Sequence, residues 1–235
     1  ENDYDFSVGN TGLHPPKEYR EAINYVNNEM DPHLVHGYMP NAGFESTRTA
    51  VAENLNKRFG SNFTFENIIM TVGAGSSIKV IIKSIFDPGD KQVVFAPYFV
   101  EYANWASNYH AETVVVPPNE ANGFEPDPEA LKKALDPKVK VVIINNPNNP
   151  TGAIYSRETL EKIAEVLKEA EKEYGHPIYI ITDEPYRELV YVDKEIVFIP
   201  DLYDNTIIAY SWSKSLSIPG DRLGYLAVSP KSDNV

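Results

Sequence analysis

The chain has 235 residues, 42% of them hydrophobic, which is enough for a sizeable core in one large domain or two small ones. Its formal net charge of -13 argues against nucleic acid or anionic membrane as partners, because both require a basic surface to replace their counterions. The absence of cysteine excludes disulfide scaffolds, thiolate metal sites and cysteine nucleophiles; no apolar run approaches the roughly 20 residues of a membrane span, and the acidic start Glu1 to Asp5 is unlike a signal peptide.

No membrane partner and no nucleic-acid partner are expected; a reducing compartment is permitted by the lack of cysteine without being required, and the expectation is a cytoplasmic protein with no metal. The first residue is Glu rather than Met, so a segment upstream is expected.

In chain order, helices are predicted over Lys17 to Glu29 and Glu45 to Phe59. From about residue 70 onward strand-like and helical periods alternate, the pattern of a layered α/β domain with helices on both faces of a mainly parallel sheet. Short apolar runs predict strands over Ile68 to Val72, Gln92 to Ala96, Thr113 to Val116, Lys138 to Ile144, Ile178 to Thr182, Thr206 to Ala209 and Tyr225 to Val228. A further helix starts after Ser156, an N-cap residue, carries Leu160, Ile163, Ala164 and Leu167 on one stripe, and stops at Gly175. With no repeat or linker the chain reads as one domain, 1–235, with a boundary expected near Val235.

Chemistry collects where predicted strands end. Gly73, Ala74 and Gly75 open a helix after the first strand, so small residues leave backbone N–H groups free at a positive helix end, a place that suits phosphate. A simple glycine-rich turn explains them as well. Pro97-Tyr98-Phe99 follows the second strand, where an aromatic face could stack on a flat ring, although such residues are more often core. Asn145 to Gly152 holds four asparagines and two prolines in a rigid turn that can aim an amide at one point.

Asp183 stands at the tip of the next strand, with Tyr186 three residues on. A buried aspartate there could keep a pyridine nitrogen protonated, with the phenol on a ring oxygen; the plainer reading is a turn-forming Asp and a packing Tyr. In Ser211-Trp-Ser213-Lys214 a strand runs into two hydroxyls and a lysine able to meet a phosphate and an aldehyde, although alone it reads far more readily as a solvated lysine after a strand. Arg222, eight residues later, could clamp the same phosphate or form an ordinary surface ion pair.

Taken in unbroken order over nearly the whole chain, these segments resemble the class I/II pyridoxal-phosphate-dependent aminotransferases, the fold type I enzymes. The resemblance implies the three-layer α/β/α large domain of that fold, with part of its N-terminal segment, and a small C-terminal domain not contained in the chain. It implies pyridoxal 5'-phosphate as cofactor, with Lys214 forming the Schiff base, Asp183 on the pyridine nitrogen and Asn149 and Tyr186 on the ring oxygen. Phe99 takes the stacking position, and Gly73, Ala74, Gly75, Ser211, Ser213 and Arg222 surround the phosphate. Tyr38 resembles a tyrosine that reaches the neighbouring subunit's phosphate, which implies a homodimer with shared sites. Gly9, with Asn149, falls near the substrate carboxylate.

The implied reaction moves an amino group from an amino acid to a 2-oxo acid. A carbon–sulfur β-lyase and the cofactor-binding sensor domain of a transcription regulator remain open, since the same shell serves all three. Some bacterial aspartate aminotransferases carry a lysine at the position of Gly75, so aspartate preference is not expected here.

Overall fold

The computed structural model describes residue 9 and residues 11–232. Among these, the elements run α1 (Lys17–Glu29), α2 (Pro32–His36), α3 (Glu45–Phe59), β1 (Ile68–Thr71), α4 (Ala74–Ile85), β2 (Lys91–Phe95), α5 (Glu101–Ser107), β3 (Glu112–Val116), α6 (Pro128–Ala134), β4 (Val139–Asn145), α7 (Arg157–Tyr174), β5 (Tyr179–Asp183), β6 (Thr206–Ser211), α8 (Trp212–Ser215) and β7 (Gly224–Val228).

The strands form one seven-stranded sheet in the order β1-β7-β6-β5-β4-β2-β3. β2 to β6 run parallel, and β7 lies antiparallel between β6 and β1. The consequence for function is simple. The C-terminal ends of β1, β2, β4, β5 and β6 and the start of β7 share one edge, so the six chemistry-bearing segments meet there although they are spread from residue 73 to residue 222.

Strand side chains alternate between faces, and helices cover both. Val141, Ile143, Tyr179, Ile181, Ile207 and Ala209 face α4 and α5. Their neighbours Val142, Ile144 and Ile180 pack on α6 and α7. On that same face Ile208 and Tyr210 meet Val51, Ala52 and Leu55 of α3. The helix after Ser156 runs as its stripe predicts: the Ser156 hydroxyl accepts from Thr159 N–H, and Gly175 closes the helix at φ 73°. The helices α2, α5, α6 and α8 have only four to seven residues each and are not anticipated by periodicity.

Adjacent strands β2 and β4 send their following helices, α5 and α7, to opposite faces. The chain thus parts at the sheet edge between them, which is where open α/β sheets bind ligands.

Candidate active site

A cleft of about 260 Å³ opens at that parting, lined by Ala74, Gly75, Phe99, Tyr102, Trp105, Asn145, Asn149, Asp183, Pro185, Tyr186 and Arg222. A more apolar groove of about 420 Å³ lies at the opposite sheet edge, along α4 and the starts of β5 and β6. That groove contains no carboxylate and only Lys140 and His176 as titratable side chains apart from the Tyr179 phenol, so the smaller cleft is the chemical one.

Asp183 ends β5 on the α5 face and is buried. Its Oδ2 accepts the Tyr102 hydroxyl at 2.5 Å, while Oδ1 is buried without a partner. Burial, with a smaller contribution from the Glu184 charge and against the Tyr102 hydrogen bond, pushes the Asp183 carboxyl up to about 7. A carboxylate in this state is primed for a cationic or N–H donor in the cleft, which would supply the missing bond.

The asparagine turn is anchored to the same strand tip. Asn145, paired in register with Asp183, donates through Nδ2 to the Asp183 carbonyl at 2.9 Å, and its Oδ1 accepts the Asn149 backbone N–H at 2.6 Å. Asn149 and Tyr186 line the cleft together, and the Tyr186 phenol has its pKa raised by burial and by Asp183 and lowered by the Asn149 amide. Asn149 and Tyr186 therefore present an amide and a hydroxyl side by side.

On the other side of the cleft the α4 N-terminus is pinned by Ser77, which is buried and donates to the Tyr225 carbonyl of β7 at 3.0 Å. Gly73 precedes it at φ 100°, and a Cβ there would lie 2.7 Å from Arg222 Nη2. The guanidinium sits against the glycine, donating to the Val72 and Pro219 carbonyls at 3.1 and 2.8 Å. Phe99 is 37% exposed, and its ring meets Tyr102 and Trp105 edge-on at 5.7 and 6.0 Å.

Ser211 ends β6 on the same face as Asp183 and is buried, as is Ser213 in α8. Lys214 follows in α8, with Nζ donating to the Gly9 carbonyl. A Cβ on Gly9 would lie 3.5 Å from that amine, so Gly9 lies close against the lysine. Tyr38 stands apart: it is fully exposed between α2 and α3 and is not in the cleft lining. Among the described residues there is no group of three or more His, Asp or Glu arranged to hold a metal.

Sequence reasoning did not select Tyr102, Trp105 or Asn145. The spacing of Phe99, Tyr102 and Trp105 by three residues was the available signal for the first two, since it places them on one face of α5. Asn145 could have been found from its place at a strand end beside β5.

A family model described as aminotransferase class I and II matches residues 1–234. The aspartate aminotransferase of Pyrococcus horikoshii is 35% identical over 220 residues, covering 93% of this chain and 54% of that protein. The aspartate/prephenate aminotransferase of Thermus thermophilus is 35% identical over 196 residues, 83% of this chain and 49% of that one. The chain thus spans about half the length of the curated relatives it matches. Among solved structures, an amino transferase from Eubacterium rectale superposes with a TM-score of 0.95 at 40% identity, covering 98% of this chain and 58% of that one. A Thermus thermophilus aspartate aminotransferase with maleate gives 0.84 at 31% identity, covering 95% and 56%. The chain belongs to the class I and II aminotransferases.

Proposed function

We propose that the protein is a pyridoxal-phosphate-dependent aminotransferase and that this chain, residues 1–235, is its cofactor-binding large domain. The observation that carries the reading is the buried Asp183 carboxylate with one oxygen unpaired at the floor of a cleft walled by an aromatic ring, an amide and a phenol. These residues fit the cofactor. Asp183 Oδ1 suits a protonated ring nitrogen, Phe99 a ring face, and Asn149 with Tyr186 a phenolic oxygen. Gly73, Ala74 and Gly75 offer the N–H groups of a helix start that faces Arg222, and with Ser211 and Ser213 they suit a phosphate.

When bound, the cofactor supplies an aldehyde for the substrate amine and an electron sink for the carbanion at the substrate α-carbon. Lys214 Nζ would hold the aldehyde carbon covalently, with water leaving, and once displaced by the substrate amine would carry the proton from the substrate α-carbon to that former aldehyde carbon, with the Gly9 carbonyl holding the amine in place. Asp183 would keep the ring nitrogen protonated from its buried position. Gly9 and Asn149 face the substrate carboxylate in this reading.

The substrates are an amino acid and a 2-oxo acid. At Gly75 an added Cβ would meet the Trp105 indole at 3.0 Å, which leaves no room for a side chain reaching toward a second carboxylate unless the indole shifts. Aspartate is accordingly not the expected donor. Tyr38, free on the surface, suits a phosphate contact in a second copy, and a cytoplasmic homodimer with shared sites completes the proposal. Among the described residues no helix is long and apolar enough to cross a membrane.

The test is an absorbance spectrum of the intact protein with added pyridoxal phosphate, before and after borohydride, alongside Lys214→Ala. A yellow species trapped on Lys214 and lost in the variant, followed by amino transfer between amino acid and 2-oxo acid pairs, is the expected result. A folded protein that forms no such adduct overturns the reading.

A further inference from the structure

The two oxygens of Asp183 have different partners. Oδ2 accepts the Tyr102 hydroxyl at 2.5 Å, and Oδ1 is buried without a hydrogen-bond partner in a residue that lines the cleft. We propose that Tyr102 is a positioning residue for Asp183, whose hydroxyl sets the rotation of the carboxylate so that Oδ1 is the oxygen presented to the cleft. The proposal rests on the preceding reading, in which a pyridine nitrogen meets that oxygen.

Tyr102 is built to hold this position. Its carbonyl accepts Gln92 Nε2 at 2.8 Å, tying α5 to β2 through a buried amide. Phe99, just before α5, and Trp105, three residues on within it, pack edge-on against the phenol at 5.7 and 6.0 Å. The phenol is buried, so it has no water to turn to. Phenylalanine at this position would preserve the packing and delete only the donor.

The hydroxyl also bears on the charge of Asp183. The groups that act on or lie beside this carboxyl are Tyr102 from α5, Tyr186 from the turn beyond β5 and the charge of Glu184, the next residue, which sits on the opposite face; Arg222 lines the same cleft. Burial and Glu184 raise the carboxyl, and Tyr102 is the hydrogen-bond partner that opposes them. Burial and the Asp183 charge hold Tyr102 itself well above the usual phenol range, so it remains a protonated donor. Removing a hydrogen bond to a charged group is expected to raise the carboxyl by about one to two pH units.

The experiment is an infrared difference titration of the intact protein without cofactor, with the Asp183 carboxyl band assigned by its absence in Asp183→Asn. Tyr102→Phe is expected to move the midpoint upward by about one unit or more, and 3-fluorotyrosine at position 102, a stronger donor of nearly the same size, to move it downward. A residue acting only by packing leaves both midpoints in place. The proposal is overturned if Tyr102→Phe folds and shifts the midpoint by less than about half a unit or, where that variant does not fold, if the fluorotyrosine protein titrates like the wild type. Because this titration needs no cofactor, its failure leaves the Lys214 trapping result standing, and a failed trapping leaves the titration standing.

Discussion

Asp183 and Glu184 are adjacent acids at the end of one strand, and the structure treats them in opposite ways. Strand alternation sends Asp183 to the α4 and α5 face and Glu184 to the face of α3 and α7. Glu184 is satisfied: it accepts the Thr182 hydroxyl at 2.8 Å and pairs with the buried Arg187 guanidinium, which lies over the rings of Phe59 and Tyr210 at 5.2 and 4.9 Å. Burial works against the Arg187 charge, and Glu184 more than restores it. Asp183 has one neutral donor and one open oxygen. A buried acid whose bonds are complete inside the chain is structural. One whose bonds are incomplete keeps the capacity for a further donor, and the difference is measurable.

The largest expected effect belongs to the structural acid. Glu184→Gln leaves Arg187 buried without a counter-charge and is expected to cost about 3–5 kcal/mol of stability in urea denaturation, with the Lys214 adduct of the remaining folded protein unchanged. Replacing both partners, Glu184→Leu with Arg187→Met, is expected to recover most of that loss. If the single substitution is benign, the comparison fails on its structural side.

Asp183→Asn is expected to reverse this pattern, lowering kcat by about 10²–10³-fold while making the cofactor-free protein more stable at alkaline pH. The sign follows from the raised carboxyl. A group with a folded value near 7 against an ordinary 3.8 binds more protons in the folded state, so its contribution is full below about pH 4 and is lost as pH rises through 7. The asparagine variant abolishes that slope, with a gain at pH 8 of up to about 4 kcal/mol, read by denaturation at pH 5 and pH 8. A variant no more stable than wild type at pH 8 would mean that the open oxygen is already satisfied.

Gly73→Ala tests the far side of the cleft and is the smallest effect expected. The added Cβ at φ 100° strains the backbone by about 1–2 kcal/mol and displaces Arg222, and cofactor affinity by equilibrium titration is expected to fall about tenfold.

Much of this was legible in the sequence. All seven strands fall within a residue or two of their apolar runs, since buried parallel strands read as continuous β-branched stretches, and α1 and α3 have their predicted limits. The short helices were not legible because four to seven residues cannot display a 3.6-residue period. Tyr102 was missed for a different reason: its role is a contact with a residue 81 positions away, and nothing local distinguishes it from the core aromatics beside it.

By itself the sequence determined the α/β layers and the placement of the chemistry-bearing residues at strand ends. These follow from period, chain order and strand alternation, which are local properties. Only the tertiary structure decided that β7 enters antiparallel between β1 and β6, bringing Arg222 to Gly73, and that Tyr102 takes one Asp183 oxygen while Arg187 satisfies Glu184. Those pairings depend on which distant side chains burial forces together, because a polar group removed from water must find its partner wherever packing has left one.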